Sequence, residues 1–280
     1  MGNSVRSKDG TLIAYDRIGA GPAVIYVGGA TSYRAFDLAG AELAKLLSLR
    51  FTVFTYDRRG RGESGDTAPY AVEREVEDLD ALIGVAGGSA HLLGESSGAV
   101  LALEAAAQGL AVTKLACYEP PFIVDDGRPP MPADIVDQLD GLVAANRRGD
   151  AFKLFMTVAV GLPEEMAAGV QQDPMWPALE AITHTIAYDG RVMGDTQSGD
   201  PAALARFAKV TAPTLVLAGS ESPEYQRNAV AVLSDVLPNA ESATLEGQGH
   251  QVSPAVLAPV VEEFFAIQPT KSSGPDRKTG

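Results

Sequence analysis

The chain has little cysteine, histidine or positive charge, and it has no long apolar run. Its one cysteine, Cys117, rules out an intramolecular disulfide. The surrounding Lys114-Leu-Ala-Cys-Tyr118 reads as a buried strand, where a small core thiol is expected. There are three histidines, unclustered, with no H-E-x-x-H and no paired cysteines, so no metal is expected. Gly28-Gly29 lacks the G-x-G-x-x-G spacing and the lysine of a phosphate loop, and no cofactor is expected. With 22 Lys and Arg against 36 Asp and Glu, the formal net charge is −14. That charge repels phosphate backbones and anionic lipid, which argues against nucleic acid and membrane surfaces as partners. No segment reaches the roughly 18 apolar residues of a membrane span, and the first residues lack a signal-peptide core, so a cytoplasmic location is expected. The expected partner is a small-molecule substrate; the sequence carries no sign of oligomeric state.

What the chain does have is 280 residues, 46% of them hydrophobic, enough for a large core with room for an inserted lobe. From about residue 22 to 119, β-rich runs alternate with alanine-rich helical stretches, the mark of successive βαβ units and a parallel sheet. Thr11 to Ile18 reads as the second arm of an opening hairpin. Strands are expected over 23–27, 51–56, 90–94, 111–118, 213–219 and 241–246. Helices are expected over about 36–49, 71–85, 99–108, 225–236 and 254–267. The second of these helices carries Glu73, Glu75, Glu77 and Asp78 on what reads as its exposed face. Between about 122 and 208 the alternation stops, and the chain becomes helical and rich in Met and Pro. This gives core segments 1–121 and 209–268, a helical cap over 122–208 and a disordered tail over 269–280.

Gly94-Glu-Ser-Ser-Gly98 fits G-x-S-x-G between an apolar strand and a helix, the context in which a sharp turn exposes a serine. Serine is a weak nucleophile without a base. His250, in the turn Gly247-Gln-Gly-His250 after the last strand, can supply one, because a parallel α/β sheet places its site at that strand end. His91 lies within a strand and reads as a core residue. His184 falls in the cap, either lining a pocket or facing solvent.

Three features in order carry a resemblance to the α/β-hydrolase superfamily over about residues 5–267: the Gly28-Gly-Ala30 turn after the third strand, the Gly94–Gly98 elbow and the late Gly-x-Gly-His250. Asp57-Arg-Arg-Gly-Arg-Gly-Glu-Ser64 is similar to the family's structural D-x-R-G-x-G-x-S turn, with a packing role. The resemblance implies a mostly parallel, twisted sheet flanked by helices with an inserted helical cap. It implies Ser96 as nucleophile, His250 as general base and then acid, and the backbone N–H groups of Ala30 and Ser97 as the oxyanion hole. Gly28 stands where many members have His. Ser222 stands where the family's Asp is expected after the strand over 213–219. Glu119, at the end of the strand after the elbow helix, is the preferred acid, because some branches, certain haloalkane dehalogenases among them, supply theirs from that strand end. Glu221 is the alternative.

Phe152, Phe155, Met156, Trp176 and His184 are candidates for a substrate pocket, with Met175 and Met193 nearby, although residues at helical spacing also serve as packing. The expected activity is cofactor-independent hydrolysis of an ester, thioester or lactone of a small, largely apolar substrate. Under the resemblance, a serine at the elbow argues against the chemistry of epoxide hydrolases and dehalogenases, which in this family requires a carboxylate there. The alternatives are a catalytically weak small-ligand binder, or a lyase or cyclase on the same fold.

Overall fold

A computed structural model describes residues 2–266. Its centre is an eight-stranded sheet in the order β1-β2-β4-β3-β5-β6-β7-β8. The strands are β1 (Asn3–Arg6), β2 (Leu12–Gly19), β3 (Ala23–Val27), β4 (Thr52–Tyr56), β5 (Ala90–Glu95), β6 (Val112–Tyr118), β7 (Thr214–Gly219) and β8 (Ala240–Leu245). β1 and β2 form the antiparallel hairpin at one edge, and every pairing from β4 to β8 is parallel. The mostly parallel sheet flanked by helices, implied by the resemblance, is what the chain forms.

The central strands are apolar on both faces because helices cover both. Along β3, Val24 and Tyr26 join the cluster under α1 (Leu38–Leu47) and α10 (Pro254–Ala266). Ile25 and Val27 join the opposite cluster under α2 (Val72–Val85), α3 (Ser97–Ala107) and α9 (Glu224–Val236). Each fully buried Leu, Val or Ile contributes about 1.5–3 kcal/mol, so these two layers dominate the stability. Cys117 lies fully buried in the second layer. His91 also sits inside the fold: its Nδ1 is 2.8 Å from Thr113 Oγ1 and its ring stacks on Phe265, while burial and nearby Lys114 push its pKa down to about 4.

The exposed face read on α2 needs correction. Glu75 and Asp78 are buried, and they neutralise Arg58 and Arg59 of the turn after β4 at 2.7 Å each. Helical periodicity marks both carboxylates as outward, but the turn lays its guanidinium groups over that face, and a buried charge persists only when paired. The turn itself closes through Asp57, whose carboxylate accepts the Arg34 and Glu63 N–H groups and whose carbonyl accepts the Ser64 hydroxyl.

Between β6 and β7 the described chain forms α4 (Ile135–Ala144), α5 (Arg148–Leu154), α6 (Glu164–Gly169), α7 (Trp176–Ile182) and α8 (Ile186–Met193), with short 3-10 and π turns and no strand. Leu139, Phe152, Leu179 and Ile186 make a separate hydrophobic cluster there. Phe122, Val192 and Phe207, from both ends of the segment, pack into the main core. The tail expected over 269–280 lies outside the described residues.

Candidate active site

The site gathers at the carboxyl ends of β3, β5, β6 and the loop after β8. β5 ends at Glu95, and α3 begins at Ser97, leaving Ser96 on the corner with φ 54° and ψ −127°. Two glycines allow so tight a corner. A Cβ at Gly98 would lie 2.1 Å from the Val27 carbonyl oxygen, and one at Gly94 would lie 2.5 Å from Ala99 Cα. Four non-glycine residues among those described have positive φ, and three of them, Thr31, Ser96 and Glu119, stand at this end of the sheet. Each costs about 1–3 kcal/mol, and such strain concentrates where a fold must present a side chain.

Ser96 Oγ lies 3.2 Å from His250 Nε2, and His250 Nδ1 lies 2.8 Å from Glu119 Oε2. Glu119 has no exposed surface. Its other oxygen accepts the Gly219 N–H at 2.7 Å and the Ser222 hydroxyl. Burial alone would raise the Glu119 pKa, but the His250, Gly219 and Ser222 contacts outweigh it and hold the carboxyl below its ordinary value. A carboxylate on Nδ1 keeps the ring proton there and leaves Nε2 free to accept from serine. The Tyr118 hydroxyl donates to the Gly249 carbonyl and so ties the histidine loop to the end of β6.

Glu221 takes no part in this chain. It is exposed, and its backbone N–H donates to the Gln248 carbonyl at 2.8 Å. Ser222, at the position where an Asp was expected, is buried against the acid and supports it. The sequence marks Ser222 for the Asp it replaces, and its support of Glu119, like that of the Gly219 N–H, follows from β7 running beside β6.

Ala30, Ser96, Ser97 and His250 line one cavity of about 600 Å³. Its apolar wall includes Met131, Val136, Leu139, Phe155, Ile186 and Met193, and Arg128, Gln197 and Tyr225 supply polar groups. Of the five pocket candidates, Phe155 lines this cavity. Phe152 is buried and packs edge-on to Trp176, with ring centroids 5.4 Å apart, and Met156 packs on the same helical cluster. His184 sits beside Asp66, with Nε2 3.2 Å from the carboxylate, and edge-on to Tyr188. Phe152 and Trp176 are absent from the lining because α5 and α7 turn their apolar faces toward each other, and Met156 and His184 lie outside it as well. Met175 is largely exposed.

A buried charge cluster reaches the cavity wall through Asp189, which sequence spacing does not mark. Asp189 of α8 meets Arg58 Nη1 at 2.7 Å and Arg61 Nη2 at 2.6 Å, and accepts the Ser97 hydroxyl at 2.8 Å. Burial would raise the Asp189 pKa, but Arg61 and Arg58 hold it below its ordinary value.

Among the described residues no three His, Cys, Asp or Glu side chains gather as a metal site, and no helix is long and apolar enough to cross a membrane.

A profile of the Alpha/beta hydrolase family matches residues 24–262. The chain is similar to an alpha/beta hydrolase from Sphaerobacter thermophilus, at 54% identity over 94% of this chain and 100% of that one, with a TM-score of 0.85. It is 27% identical over 241 residues to N-formylmaleamate deformylase of Pseudomonas putida, covering 84% of each. It is 28% identical over 286 residues to polyketide synthase ThaQ of Burkholderia thailandensis, covering 90% of this chain but 12% of that longer protein.

Proposed function

The chain belongs to the alpha/beta hydrolase family, and from that premise we propose that it is a cofactor-independent serine hydrolase acting through Ser96, His250 and Glu119 on an ester, thioester or lactone of a small, largely apolar substrate. The observation that carries this reading is the unbroken relay from Ser96 Oγ through both ring nitrogens of His250 to a buried carboxylate. Ser96 Oγ attacks the carbonyl carbon as its proton passes to His250 Nε2, and the carbonyl electron pair moves to oxygen. The N–H groups of Ala30 and Ser97 receive that oxyanion. Collapse expels the alcohol or thiol, protonated by His250; a lactone's leaving oxygen stays tethered. Water then repeats the cycle on the acyl-enzyme and releases the acid.

The helical segment over 122–208 acts as a cap, since Met131, Phe155, Ile186 and Met193 bring apolar surface over Ser96. Enclosure favours an apolar acyl group and limits water at the reacting carbon. The similarity to a protein named a deformylase makes activated amides a second class to assay beside esters.

The test is intact-protein mass after exposure to a fluorophosphonate probe, which requires an activated serine and no knowledge of the substrate. We expect one adduct on the wild type and none on Ser96→Ala. Folded wild-type protein that stays unlabelled overturns the reading.

A further inference from the structure

One pair of the proposed oxyanion donors is built unequally. Ser97 N–H opens α3, and the helix fixes its direction. Ala30 N–H belongs to the loop after β3, where, among the described residues, the only backbone bond on the Gly29 carbonyl is a long one from the Ser32 N–H at 3.3 Å. The loop passes close to the nucleophile: a Cβ at Gly29 would lie 3.0 Å from Ser96 Cβ. A small rotation of the Gly29–Ala30 peptide would therefore carry the N–H away from the reacting oxygen.

That peptide is clamped from behind. Arg61 Nη1 donates to the Gly29 carbonyl at 2.7 Å and to the Ser32 carbonyl at 3.2 Å. Because the peptide unit is planar and trans, its C=O and N–H point in opposite directions. Anchoring the Gly29 carbonyl to Arg61 thus aims the Ala30 N–H away from Arg61, and Ala30 shares the cavity wall with Ser96. Arg61 is itself fixed. It is 1% exposed, Nε donates to the Thr185 hydroxyl at 3.1 Å, and Nη2 donates to Asp189 at 2.6 Å. The same Asp189 accepts the Ser97 hydroxyl, so one carboxylate on α8 braces the residues that carry both donors.

We propose that Arg61, held by Asp189, is the positioning residue of the oxyanion hole, and that its hydrogen bond to the Gly29 carbonyl sets the Ala30 N–H for catalysis. The inference rests on the serine-hydrolase reading above. It gives the turn after β4 a role in the reaction beyond packing. It also makes the helical segment over the site part of the catalytic framework, because α8 supplies the brace.

The test combines two variants with two readouts. Arg61→Met/Asp189→Leu removes the pair without leaving a buried charge unmatched, and Arg61→Lys keeps a cation facing Asp189 while losing the planar fork that reaches Gly29. The substrate is an activated short-chain aryl ester. The second readout is inhibition by an aryl trifluoromethyl ketone: Ser96 Oγ bonds to its carbonyl carbon, the serine proton passes to His250, and the carbonyl electron pair becomes an oxyanion in the hole. Loss of one oxyanion donor lowers kcat by about 100-fold or more. We expect the double variant to lose about 100-fold in kcat, with KM within about threefold, and to lose ketone affinity in parallel. Arg61→Lys should lose about tenfold in both. A merely structural role would leave the folded population with normal ketone affinity. A folded variant of either kind that keeps kcat and ketone affinity within threefold of wild type overturns the proposal and leaves the hydrolase reading intact. A wild-type protein inert to both ester and ketone overturns the two together.

Discussion

Replacing Glu119 with Gln isolates the orienting charge, because it keeps the side-chain shape and removes the negative charge. One carboxylate oxygen already accepts from the Gly219 N–H and the Ser222 hydroxyl. The substituted amide must keep its oxygen on those two donors and turn its NH2 toward His250. Nδ1, now facing a donor, gives up its proton, and the ring carries hydrogen on Nε2, aimed at Ser96 Oγ. An imidazole in that tautomer cannot take the serine proton. The fully buried position of residue 119 keeps water from replacing the lost acceptor there. The half-exposed histidine ring leaves a minor route through a rotated ring. A tautomer error of this kind in a serine triad costs about 10⁴ in kcat. With the rotated ring allowed for, we expect a loss of about 10³–10⁴, equivalent to roughly 4–5 kcal/mol at 1.36 kcal/mol per decade. The assay is steady-state hydrolysis of an activated short-chain ester at pH 8, with the thermal midpoint as a check on folding and Glu221→Gln as the parallel variant, expected within about twofold of wild type. Glu119→Gln within tenfold of wild type, or a larger loss in Glu221→Gln, would refute the reasoning.

Two further outcomes follow from the carboxylates around the site. Burial, with Asp37 beside it, pushes the Glu95 carboxyl from an ordinary 4.5 up to about 7, while the single Tyr26 hydroxyl proton serves both acids at 3.0 and 3.1 Å. A raised carboxyl pKa leaves stability untouched below about pH 4.5 and erodes it as pH climbs toward 7, by about 3 kcal/mol at most and about 1–2 kcal/mol once partial exposure is counted. Glu95→Gln should therefore gain that amount in urea melts at pH 8 and nothing at pH 4.5; an equal gain at both pH values would defeat the account. Ser222→Ala removes a donor that helps depress the Glu119 pKa. The stability from a depressed carboxyl is present above its ordinary pKa and is lost as pH falls through the lowered one. The variant should thus lose about 1–2 kcal/mol at neutral pH and begin acid unfolding at a higher pH, with kcat reduced several-fold; an unchanged acid-unfolding curve would count against the contact.

The sheet was legible because its strands are buried on both faces and so read as unbroken apolar runs between glycines and prolines: Ala23–Val27, Ala90–Glu95 and Thr214–Gly219 all fall where composition places them. The elbow was legible because its requirement is local: small residues at 94 and 98 and a serine between them. Burial of Glu75 and Asp78 was not, since each depends on an arginine 17 or 19 positions away, and no periodicity within α2 reports that. Phe152 and Trp176 are pocket candidates on chemistry that fits a cavity wall and a helical seam equally well. Only the way α5 and α7 face each other separates the two.

The acid shows why a motif read position by position goes astray at this site. β6 and β7 are parallel neighbours, with Tyr118 opposite Leu217, so a carboxylate leaving either strand end arrives beneath the same histidine. At Glu119 the backbone takes φ 44°, which turns the longer side chain into that space. Once it is there, an Asp at 222 would put two carboxylates in contact in a buried place, and one of them would be driven to hold a proton. A serine supplies what the occupied site lacks, a donor for the remaining lone pairs. In the proposed relay Glu119 and Ser222 thus act as one unit divided between two strands. The hydroxyl after β7 follows from the acid's place on β6 and does not mark an incomplete relay.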